Sequence, residues 1–123
     1  MNDFPEFMKN PANKVALKTQ FTKDIEGYIF NGADGSQVVF WTNAAGGISI
    51  EHTHVYDEWV MVVQGQYTLI VGAIEFPPTA GKEFYTQKGT PHSGISKPGT
   101  RTIHAFGGKR AEQAKQEGAL TPS

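Results

Sequence analysis

Cysteine is missing from all 123 residues. Disulfides and thiolate metal sites are therefore excluded, and any metal ion has to be held by histidine and carboxylate. Net charge is nearly as scarce: 11 Lys and Arg stand against 12 Asp and Glu. With no basic run, nucleic acid is not an expected partner. No apolar run reaches membrane-spanning length, so no membrane partner is expected. The opening Met1-Asn2-Asp3-Phe4-Pro5-Glu6 has neither the basic start nor the apolar core of a secretory leader. A soluble, cytoplasmic protein is the expectation. Helix patterning is also nearly absent, and the length suits a single domain spanning 1–123 with one core.

What is present is β-pattern. Residues 1–14 hold two prolines and the apolar Phe4, Phe7 and Met8, and read as a short irregular arm. Val15-Ala16-Leu17 begins a short strand. Glu26–Phe30, Gln37–Thr42, Gln66–Val71, Ile74–Phe76, Glu83–Thr86, His92–Ser96 and Thr100–Phe106 are strand-like runs separated by Gly, Pro and Asn turn clusters. Turn signals every eight to twelve residues predict an all-β sandwich or barrel over about 15–108. Residues 109–123 read as a polar tail, with a short surface helix or frayed end over Lys109–Gln116.

The centre of the chain is Gly46–Gly65. Ile48, Ile50, His52 and His54 share one parity, so a strand puts both histidines on one apolar face. Glu58 begins the next strand, in phase with Val60 and Val62. A carboxylate on an apolar face is costly to bury without a partner, and a metal ion is such a partner.

The spacing Gly46, five residues, His52-Thr53-His54, three residues, Glu58, six residues, Gly65 resembles the first cupin motif at every fixed position. Fifteen residues on, Gly81, Gly89 and His92 match the second motif, with Gln87 where proline is usual and Ser96 where asparagine is usual. The resemblance implies a cupin jelly-roll barrel, a homodimer, and one divalent transition metal held by His52, His54, Glu58 and His92. The metal would be iron, manganese, nickel or zinc. Three neutral imidazoles and one carboxylate leave such an ion a residual positive charge, and open positions if it is octahedral. Oxygen-rich small-molecule ligands suit that chemistry. The bland reading is a barrel whose metal serves stability alone, or that holds none.

His104 lies mid-strand in phase with Thr102 and Phe106 and is a candidate catalytic acid or base. Gln87, Tyr56 and Trp41 are candidates for the substrate pocket. Tyr28, Trp59 and Tyr67 are more simply core aromatics. Arg101 is either a carboxylate clamp or a solvated surface residue, and the charges of 109–117 read as a solvated face. Three functions follow from the resemblance. The first is a metal-dependent enzyme of dioxygenase or enolisation and isomerisation chemistry. The second is a non-catalytic module that senses or binds a small ligand or metal. The third is a dimer stabilised by a structural metal.

Overall fold

The computed structural model describes residues 3–16 and 25–112. Leu17 and the 113–123 part of the expected tail lie outside them. Nine strands follow one another among the described residues: β1 Glu26–Asn31, β2 Gln37–Asn43, β3 Gly47–His52, β4 Glu58–Gln64, β5 Tyr67–Val71, β6 Ile74–Phe76, β7 Glu83–Thr86, β8 His92–Ser96 and β9 Thr100–Phe106. They form two antiparallel sheets, β1-β2-β9-β4-β7 and β3-β8-β5-β6. The fold is the all-β cupin jelly roll.

Period-two patterning explains the core. In β2, Gln37, Val39, Trp41 and Asn43 face inward and are buried, while the residues between them are half-buried. In β4, Glu58, Val60 and Val62 are buried on one face. In β9, Thr102, His104 and Phe106 share the inner face. Val15, Ile29, Val39, Trp41, Phe106 and Ala111 make the main apolar cluster. Lys14 bridges to Tyr28, and Val15 N donates to Gly27 O at 2.8 Å.

The arm is shaped by two 3-10 turns, Glu6–Met8 and Pro11–Asn13. Phe4, 6% exposed, meets Phe40 edge-on at 5.5 Å. The Arg101 guanidinium lies 4.7 Å from the Phe4 ring centre, and its Nε donates to Gln64 Oε1 at 3.0 Å. Arg101 is buried, so it is not the solvated surface residue that strand-edge statistics favour.

Two other expectations are corrected. Ile48 and Ile50 are 67% and 64% exposed, so they do not share a buried face with the histidines. The register of β3 on β8 runs Ser49↔Gly94 and then His52↔His92, a shift of one. This bulge inserts an extra residue and reverses the parity, turning His52 inward with Ser49. The start of the expected polar tail is also not a solvated face. Arg110 and Ala111 are 7% and 1% exposed. Gln37 holds them: its Oε1 accepts from Arg110 N at 2.7 Å and Ala111 N at 3.1 Å, and its Nε2 donates to Ala111 O at 3.1 Å.

Candidate metal centre

The end of β3, the β3–β4 loop and the starts of β4 and β8 deliver His52, His54, Glu58 and His92 to one place. The two halves of the motif are tied through the backbone. Gly89 has φ +81°, a conformation that favours glycine, and its N–H donates to His54 O at 2.8 Å. One ligand atom from each of the four side chains lies within 4.8 Å of the others. An ion with bonds near 2.1 Å spans donors up to about 4.2 Å apart, so shifts of a few tenths of an ångström bring the set to bonding distance.

The imidazoles are pre-set. His52 Nδ1 lies 2.6 Å from Ile50 O, and His92 Nδ1 lies 2.9 Å from Thr90 O. A carbonyl only accepts, so each Nδ1 carries the proton and each Nε2 keeps its lone pair. His54 Nε2 and His92 Nε2 approach Glu58 Oε1 to 3.3 and 3.2 Å. Yet Glu58 Oε1 and His92 Nε2 are buried without a hydrogen bond. Close but misaligned donor atoms, stripped of water and facing a common point, are what a bound cation would satisfy. The residues therefore fit a divalent metal.

The second carboxylate oxygen is engaged elsewhere. Glu58 Oε2 accepts from His104 Nδ1 at 2.8 Å. Burial pushes the Glu58 pKa up, but the His104 hydrogen bond and the adjacent His54 and His92 rings outweigh it and hold it well below the usual range. Burial, helped by His92 and His54, pulls His52 down to about 4, so it is neutral at neutral pH. Burial also opposes the charged form of His92, but Glu58 and Thr90 O raise its pKa on balance. A proton and a metal ion compete for that ring.

The ligands open onto a cavity. Its wall includes His52, Glu58 and His92 at the metal end, with Trp41, His104 and Arg110 beside them. Trp41 thus lines the cavity, edge-on to His104 with ring centres 6.5 Å apart. Tyr56 is not among the lining residues; it stacks on the His54 ring at 4.8 Å and 14°. Burial pushes its hydroxyl up to about 12. Gln87 is exposed in the β7–β8 loop and is likewise absent from the wall. Tyr67, expected in the core, reaches the wall, and burial raises its pKa. Arg101 stays on the outer side under Phe4, away from the wall.

Arg110 is the functional candidate that sequence reasoning missed. Its guanidinium lies 5.9 Å from the ring centres of Trp41 and Phe106, and burial lowers its pKa. Its seat depends on Gln37, 73 residues away, so no local pattern marks it.

Comparison with known proteins agrees with this fold. Among solved structures, KdgF from Halomonas sp. superposes with a TM-score of 0.64 at 20% identity, covering 78% of this chain and 94% of that one. The polyketide cyclase RemF from Streptomyces resistomycificus superposes with a TM-score of 0.64 at 17% identity, covering 77% and 72%. An RmlC-like cupin from Shewanella frigidimarina gives 0.61 at 18% identity, covering 76% and 79%. At these identities the likeness is one of fold. No curated protein matches the chain. The cupin domain family model matches residues 39–106, from β2 through β9 and across all four candidate ligands, and the chain belongs to that family.

Proposed function

We propose that this protein binds one divalent transition metal through His52, His54, Glu58 and His92 and acts on an oxygen-rich small molecule admitted to the adjoining cavity. The observation that carries the reading is the convergence of the four side chains, with Nδ1–H of His52 and His92 bonded away to carbonyls. A bound ion would supply Lewis-acid polarisation of a ligand oxygen or a site for oxygen chemistry. The buried Arg110 guanidinium adds positive charge to the wall and favours an anionic ligand.

His104 supports proton transfer as the reaction type, which means enolisation or isomerisation. Its Nδ1–H donates to Glu58 Oε2, so Nε2 is the ring's proton acceptor. Trp41 and Phe106 pack beside its ring, with ring centres 6.5 and 5.8 Å away. The test is solvent deuterium uptake. Metal-loaded protein is incubated in D2O with a panel of hydroxy and keto acids, and the carbon next to the carbonyl is followed by NMR. Exchange that needs both metal and His104 is expected. Binding without exchange or oxygen consumption for every member would instead favour the non-catalytic binding module.

One observation favours a structural share for the metal. The ligands join β3 and β8 of one sheet to β4 of the other. A homodimer and a cytoplasmic location remain part of the proposal. Ile48, Ile50 and the paired Ile95 expose apolar surface on the outside of the four-stranded sheet. Sedimentation is expected to give twice the chain mass, and Ile48→Glu to lower it. A monomeric parent protein refutes the dimer.

A further inference from the structure

At the far end of the cavity lies a polar group that the fold does not use. Asn43 closes β2 with its side chain on the inner face, 2% exposed, and it lines the cavity. Neither Oδ1 nor Nδ2 has a hydrogen-bond partner. Its backbone is engaged separately, since Asn43 O accepts from Gly99 N at 3.0 Å and Gly46 N at 3.3 Å. Thr100, the cross-strand neighbour, does not bond it. Its hydroxyl shares its hydrogen between Lys97 O at 2.6 Å and Gln66 O at 3.0 Å and accepts from Gln66 N at 3.2 Å. Burying an amide with both ends unpaired weakens a fold, and such costs concentrate at functional sites.

The placement defines what would satisfy it. Asn43 pairs with Thr100, while His104, which holds Glu58, lies four residues along β9. At about 3.3 Å per residue the two levels are about 13 Å apart along the strand. We propose that Asn43 forms a second subsite, remote from the metal ligands, which reads an un-ionised donor–acceptor group, a hydroxyl or primary carboxamide, at the far end of an elongated small acid. The amide donates through Nδ2 and accepts at Oδ1, so a group that does both is bound and a methyl or a carboxylate is rejected. Ser49 and Ser96 on the facing wall keep that end polar. The inference rests on the metal-end reading given above and adds the class of the ligand's other end.

The experiment uses nickel-loaded protein and calorimetry with three probes. Oxalate is too short to leave the metal end. Unsubstituted carboxylates of four to eight carbons reach further, and the matching ω-hydroxy carboxylates add the group Asn43 would read. At one chain length the ω-hydroxy acid is expected to bind about tenfold more tightly than its unsubstituted partner, the scale of one buried hydrogen bond. In Asn43→Leu that advantage disappears while oxalate affinity is unchanged. Oxalate binding with no hydroxyl advantage at any length overturns the subsite alone and leaves a trapped water as the amide's partner. Absence of oxalate binding overturns the metal-end reading beneath it. Metal-free Asn43→Leu is expected to melt no lower than the parent; a fall of several degrees shows the amide to be structural and overturns the proposal.

Discussion

At the scale of single residues, Glu58 is the pivot. One oxygen faces His54 and His92, and the other accepts from His104. Replacing His104 with Leu strands a buried carboxylate oxygen. A loss of about 2 kcal/mol is expected in the metal-free protein, with metal affinity falling about 10- to 100-fold. His104→Asn keeps a donor near the Nδ1 position and should recover much of both. Denaturant melts and metal titration of the two variants read this directly, and equal behaviour contradicts it. His52 sets a pH dependence. Its folded pKa is depressed to about 4 from 6.5, so between those values the unfolded chain binds more protons. Stability of the metal-free protein should therefore fall as pH drops from 6.5 to 4. The raised pKa of His92 acts elsewhere: its contribution is complete below pH 6.5 and is lost as pH rises through the raised value. Urea midpoints that stay flat across pH 6.5 to 4 exclude the His52 effect. The grouping of His52, His54, Glu58 and His92 was legible because their spacing is a local pattern. Asn43 and Arg110 were not, because an orphaned amide or a buried guanidinium is defined by neighbours distant in sequence.

At the scale of elements, alternation located the strands, since burial follows period two wherever a strand is regular. It failed at β3, where the bulge between Ser49 and His52 breaks the period. The parity argument put Ile48 and Ile50 inside with His52, and the extra residue turned them out. The expectation for 109–112 failed for another reason. The polar composition there resembles solvated chain, but Gln37 supplies a donor and an acceptor that hold Arg110 and Ala111 against the barrel. Gln37→Leu removes four hydrogen bonds, three to Arg110 and Ala111 and one to Asn31, and a loss of about 2 kcal/mol is expected. The more specific consequence is functional. Arg110 should leave the cavity wall, weakening oxalate binding while metal content stays that of the parent. Unchanged oxalate affinity would show that Arg110 holds its place without Gln37.

At the scale of the whole molecule, the metal set links the two sheets. An ion that binds only the folded state adds about 4 kcal/mol when present at a thousandfold excess over its Kd. For a domain of this size that is roughly 10–20 °C in Tm. Chelation should therefore lower the melting temperature strongly, and restoring the ion should reverse the fall. A chelator-insensitive melt argues against a metal that supports the fold. The most direct test of the account is elemental analysis by mass spectrometry of tag-free protein beside a His52→Ala control. The account predicts close to one equivalent of a single divalent transition metal in the parent and a large loss in the control. No bound metal in either protein, even after each of iron, manganese, nickel and zinc is supplied in turn, would contradict it.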